Sequence, residues 1–143
     1  ENMTHVARFK GDAAASLLTT SVVADFIRRG WINDQYEFAR LHYGGRCAVL
    51  CEALREHLPP EVQWQAPMGG YFVWLTLPKG MNADDVRVDA NKHSCDFMPG
   101  RLAYVEAPDA RTMRLCFTLM NEDKLTQGAR LIGECIRAAG VRA

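Results

Sequence analysis

The sequence offers no pairing scheme for its cysteines. Cys47, Cys51, Cys95, Cys116 and Cys135 are odd in number and include no Cys-x-x-Cys pair, which excludes a regular disulfide framework and the usual zinc-site spacing. They read as reduced thiols. Cys47 and Cys51 share a helix face at i and i+4, a spacing that fits a buried thiol pair better than a metal site. Long apolar runs are also missing. Nothing approaches the roughly 18 residues that span a bilayer, and Glu1 to Gly11 has neither the charged start nor the apolar core of a signal peptide. The expectation is a soluble, cytoplasmic chain with no membrane partner. An excess of either charge is absent as well, since 17 basic side chains balance 17 acidic ones. No field is aimed at nucleic acid or another polyanion. Repeats of 20 to 50 residues, heptad arrays and low-complexity tracts are lacking, which excludes a solenoid or coiled coil.

What is present is enough for one domain with a real core: 143 residues, 48% hydrophobic and 24% charged. The organising stretch is Pro67 to Pro78. Two glycines introduce Tyr71 to Leu77, all aromatic, β-branched or Leu, and Pro78 stops them, which predicts a strand. Apolar residues fill adjacent as well as alternate positions, so both faces are expected to be covered. Tyr71, Val73, Leu75 and Leu77 take one face, and Phe72, Trp74 and Thr76 the other. Its expected partner is Thr112 to Leu119, an apolar run broken by one charge, Arg114. A guanidinium in such a strand needs an anion, because leaving it buried and unpaired costs several kcal/mol.

Around these two strands the chain reads α, α, β, β, α, β, β, α. Asp12 to Arg29 is helical, with Leu18, Val22 and Phe26 at spacing four and Gly30 as stop. Asp34 to His57 is a longer helix striped by Tyr36, Ala39, Tyr43, Cys47, Leu50 and Leu54, with Gly44-Gly45 predicting a kink or close packing. Val62 to Gln65 predicts an edge strand. Asn82 caps a weak helix in which Val86, Val88 and Ala90 alternate instead of stepping by three or four. Cys95 to Met98 predicts a third strand ending at Pro99-Gly100, and Arg101 to Arg111 a loop. Asn121 caps the last helix, striped by Leu125, Ala129, Ile132, Ile136 and Ala139. The fold class is α+β: a small, mainly antiparallel sheet of three to four strands with helices on one face.

Three motifs in order, Gly69-Gly70-Tyr71-Phe72-Val73-Trp74-Leu75, Phe97-Met98-Pro99-Gly100 and Met113-Arg114-Leu115-Cys116-Phe117, followed by a closing helix, resemble the C-terminal small domain of the fold-type I pyridoxal-phosphate aminotransferases. The resemblance is nearest to the branch with aromatic-amino-acid and 2-aminoadipate aminotransferases. It covers nearly the whole chain, with residues 1–11 as the end of an interdomain connection and 12–143 as the small domain. It implies that Arg114 takes the substrate α-carboxylate through its planar fork and that Tyr71 lines the substrate entrance. It also implies that pyridoxal 5'-phosphate sits in a parent enzyme, with a large cofactor-binding domain of the same protein, an amino acid or 2-oxo acid substrate and a homodimeric assembly. None of the four lysines, Lys10, Lys79, Lys92 and Lys124, stands in the family's serine-rich lysine motif, so no catalytic, cofactor-binding or metal-binding residue is expected in this chain. Competing readings remain on the residues alone. Arg114 is also explained by a structural salt bridge, Tyr71 by a place in the core, and the whole chain by a stand-alone ligand-binding or protein-interaction domain without catalysis. His93-Ser94-Cys95 reads as a helix-end cluster, since adjacent side chains do not present a nucleophile to its base.

Overall fold

A computed structural model describes residues 16–141. The interdomain connection expected over residues 1–11 lies outside the described residues, as does the start of the first predicted helix. The chain divides into two compact units, Glu1–Arg40 and Leu41–Ala143.

In the first unit, α1 spans Leu17–Arg28. The predicted stripe of Leu18, Val22 and Phe26 forms a helix, yet no residue of α1 is buried. Gly30 adopts φ +77°, a conformation that suits a residue without Cβ and stops the helix. Its carbonyl accepts from the Asn33 N–H at 3.1 Å, so the next helix begins at once. That is why α2 runs Trp31–His57, three residues longer at its start than the sequence predicts. It passes through Gly44-Gly45 unbroken, and a Cβ on either glycine would meet nothing closer than 4.0 Å. Neither the kink nor the close packing expected there occurs.

The second unit holds the sheet and its core. Strands β1 (Gln63–Trp64), β2 (Phe72–Thr76), β3 (Met98–Pro99) and β4 (Thr112–Cys116) form an antiparallel sheet in the order β1-β2-β4-β3. Leu50 and Leu54 of α2 are buried, as are Val73, Leu75, Leu77, Met113, Leu115 and Phe117 from the central strands. Helix α3 (Ala83–Asn91) adds Val86 and Ala90, and α4 (Glu122–Gly140) adds Leu125, Ala129, Ile132 and Ile136. Both helices start at asparagine caps: the Asp84 N–H donates to Asn82 Oδ1 at 2.9 Å and the Lys124 N–H to Asn121 Oδ1 at 3.0 Å.

Two sequence readings give way here. Helix α3 is regular over nine residues, because the buried pair is Val86 and Ala90 at i and i+4 while Val88 faces out. The third strand is displaced toward Pro99, since the Cys95 N–H donates back to the Ala90 carbonyl at 3.1 Å and Ser94 turns through φ 56°. The cluster His93-Ser94-Cys95 is thus the turn that ends α3.

Candidate functional site

The second face of the sheet is the clearest departure from the sequence reading. In β2 the residues Val73 and Leu75 are fully buried, while Phe72 and Trp74, one position out of phase, are 38% and 36% exposed. The expectation of two covered faces is corrected to one. The period of two puts Val73 and Leu75 in the core and leaves Phe72, Trp74 and Thr76 on the more exposed side.

Register brings Arg114 to that open face. It stands opposite Trp74 across β2 and opposite Met98 across β3, and opposed residues in an antiparallel pair share a face. Phe72 is therefore its diagonal neighbour, and the Arg114 guanidinium carbon lies over the Phe72 ring at 3.9 Å from the centroid. Among the described residues no carboxylate pairs with Arg114. The arginines around it behave differently. Arg101 grips Asp84 through two bonds of 2.6 and 3.0 Å, and Arg111 grips Asp109 through two of 3.1 and 2.7 Å. Those charged hydrogen bonds hold the Asp84 and Asp109 carboxyls below the usual carboxylate range. The salt bridge that would explain Arg114 structurally is not made among the described residues.

Tyr71 lies at the entry to β2 and is 53% exposed, so it is not a core residue. Its ring meets Tyr43 edge-on at 5.7 Å and Phe72 edge-on at 6.4 Å. Phe72 thus bridges the two residues singled out from the sequence. Sequence reasoning passed over Phe72 itself, treating it as a covered strand residue; only its diagonal offset from Arg114 marks it, and that requires the register.

The rest of the face is set by packing at Gly100, which opens a short 3-10 turn, Gly100–Ala103. A Cβ there would collide with the Thr112 side chain and come within 2.8 Å of Trp74 Cζ2. Only glycine lets Trp74 pack this closely on the turn, and its ring also meets Tyr104 at a tilt, 6.1 Å between centroids. Cys116 flanks Arg114 on the same strand. Burial pushes its thiol up, but bonding from Thr118, the backbone at Thr118 and Leu119, and the Arg114 charge outweigh that and lower it. The described lysines lie elsewhere: Lys79 in an exposed turn, Lys92 paired with Asp89 at 2.6 Å, and Lys124 bonded to Gln127 at 3.1 Å. None belongs to the strands that carry Arg114 and Phe72. No group of three or more His, Cys, Asp or Glu that could hold a metal ion occurs among the described residues, and none of their helices is long and apolar enough to cross a membrane.

No protein-family profile matches the chain. Individual proteins do. A 2-aminoadipate transaminase of Thermus thermophilus is 26% identical over 131 residues, which is 92% of this chain and 33% of that protein. The aromatic-amino-acid aminotransferase 1 of Thermococcus litoralis is 26% identical over 132 residues, 92% of this chain and 32% of its own length. Among solved structures, a Pyrococcus horikoshii kynurenine aminotransferase determined with PMP superposes with a TM-score of 0.80 at 29% identity, over 96% of this chain and 34% of that one. The chain spans about a third of the length of the curated relatives it matches. What it is similar to is the small C-terminal domain of fold-type I aminotransferases, in sequence and in its α+β architecture.

Proposed function

We propose that this chain serves as the C-terminal small domain of a pyridoxal-phosphate-dependent aminotransferase-like enzyme and contributes Arg114 as the receptor for the substrate α-carboxylate. One observation carries the reading: Arg114 stands on the more exposed face of the sheet with an aromatic ring beneath it and no acid partner among the described residues. A guanidinium stacked on a ring keeps its edge N–H groups available for a bidentate carboxylate. The role of Tyr71 is secondary, as an exposed aromatic wall beside Phe72 that screens one side of the approach.

The described residues do not fit an imine-bound cofactor by themselves, because Lys92 and Lys124 are engaged with Asp89 and Gln127 and Lys79 stands in an open turn. In this reading the Schiff-base lysine and the phosphate donors belong to a large domain of the same enzyme, which assembles as a homodimer in the cytoplasm. The reaction is amino transfer between an amino acid and a 2-oxo acid, and bound pyridoxal phosphate supplies its electron sink. The part derived from this chain is the capture and orientation of the substrate carboxylate.

Two measurements test this. In an enzyme that contains the domain, Arg114→Lys keeps the charge but loses the fork, and kcat/KM falls by the equivalent of about 2 kcal/mol or more with the fold intact; an unchanged value refutes the assignment. Borohydride reduction of the chain mixed with pyridoxal phosphate labels no lysine stoichiometrically. A single specifically labelled lysine overturns the division of labour.

A further inference from the structure

Three aromatic rings lead from the core to the guanidinium of Arg114, all within the second unit. Tyr43 of α2 is half-buried and packs against the core. Its ring meets Tyr71 edge-on at 5.7 Å, Tyr71 meets Phe72 edge-on at 6.4 Å, and the Arg114 guanidinium carbon stands 3.9 Å from the Phe72 centroid. Phe72 needs that support. It is 38% exposed, and the residue opposite it on β4 is Cys116, a side chain too small to hold a ring in one rotamer.

We propose that Tyr43 is a positioning residue for Arg114, acting through Tyr71 and Phe72 to hold the guanidinium ready for a carboxylate. This role rests on the carboxylate function proposed above and extends it to α2. A free arginine side chain has many rotamers to lose when it takes a ligand, and a ring that already fixes its place lowers that cost. Edge-on contacts suit the task, because the negative face and positive edge of an aromatic ring give each ring a preferred orientation toward the next. The successive planes are turned by 83° and 89°. Phe72, held in this way, keeps its face under the cation. The contacts are made by the ring of Tyr43, so phenylalanine can take its place. The substrate carboxylate is not a reacting group and is held alike before and in the transition state, so a loosened receptor raises KM and leaves kcat. A damaged fold does the opposite, lowering the number of active molecules, and with it kcat, at an unchanged KM.

The first arm of the test reads the Arg114 Nε–H of the full chain by NMR, where the Phe72 ring displaces the resonance upfield. Tyr43→Leu keeps apolar volume against the core but removes the ring, and it loses most of that displacement; Tyr43→Phe retains it. Tyr71→Leu, at an exposed position, cuts the same route at its second link. It gives the same loss, and the double variant adds nothing to it. The second arm is steady-state kinetics in an enzyme that contains the domain. There Tyr43→Leu raises KM for the amino acid about 2- to 10-fold with kcat unchanged, and Tyr43→Phe restores it. A wild-type resonance with no upfield displacement, one that ignores Tyr43→Leu, an additive double variant, or a fall in kcat at unchanged KM each overturns the positioning role. Arg114→Lys, run beside them, keeps the two readings apart: an unchanged kcat/KM refutes the carboxylate function, while the Arg114 resonance still decides whether Tyr43 holds the guanidinium.

Discussion

Replacing Arg114 by alanine separates the structural explanation of this residue from the functional one, and the expected cost follows from its surroundings. A buried ion pair stripped of one partner loses about 3–5 kcal/mol, because the remaining charge is stranded. Removing Arg114 strands no carboxylate among the described residues. What is lost is the contact with Phe72, about 0.5–1 kcal/mol for a cation over a ring at a partly exposed site. To this is added a strand-propensity and packing difference that stays within about 1 kcal/mol. The sum is about 0.5–2 kcal/mol, or a fall in melting temperature on the order of 2–8 °C for a domain of this size. Circular-dichroism melts of wild type, Arg114→Ala, Phe72→Leu and the double variant complete a cycle whose coupling should equal the ring contact, about 0.5–1 kcal/mol. Arg114→Lys retains a cation over the ring and melts closer to wild type. A loss above about 3 kcal/mol in Arg114→Ala, or a coupling of zero with Phe72, refutes the reasoning: the first reveals a hidden anion, the second an ornamental ring.

Three further outcomes are expected. Gly100→Ala places a methyl against Thr112 and Trp74 and destabilises the chain by about 1–3 kcal/mol in a urea unfolding curve, whereas Gly69→Ala, with nothing within 4 Å, changes little. Truncation after Asn121 removes Leu125, Ala129, Ile132 and Ile136 from the core; at about 1.5–3 kcal/mol for each large side chain this rivals a domain's whole stability of about 5–15 kcal/mol. The shortened chain loses its cooperative melt, and a sharp transition at the old temperature would show α4 to be peripheral. Alkylation by iodoacetamide marks Cys116 first, because its thiol is lowered and exposed, and Cys51 last, because its thiol is raised to about 11 and buried; the Cys116 rate also levels off at the lower pH. Mass mapping of a time course with the order reversed would contradict both assignments.

What the sequence discloses here is local. Asn82 and Asn121 announce their helices because a cap is a contact between residues two or three apart, and the α4 stripe is visible because a helix face is a period. The order of strands and helices follows from the same signals. The one-sided sheet does not. Phe72 and Trp74 are as apolar as Val73 and Leu75, so the residues of β2 look alike on both faces, and only the placement of the helices decides which face is dry. The partnership of Arg114 with Phe72 is similarly hidden, since 42 positions separate them along the chain and only the pairing of Trp74 with Arg114 makes them diagonal neighbours. Val88 shows the converse: its alternating run weakens the helix signal, and the Asn82 cap with the buried pair Val86 and Ala90 makes the segment a regular helix.

The outer strands of the sheet carry a consequence for how this domain behaves in crowded solution. An apolar open face invites association, and sheets usually aggregate by adding strands at their borders. Both borders here are stunted: β1 and β3 extend over two residues each, and β3 ends in Pro99, which has no N–H to offer an incoming strand. A foreign chain finds almost no ladder to extend. Contact between this domain and anything else is thereby steered to side chains on the broad surface around Trp74, where shape and charge can discriminate, and away from the backbone, where any polypeptide would do.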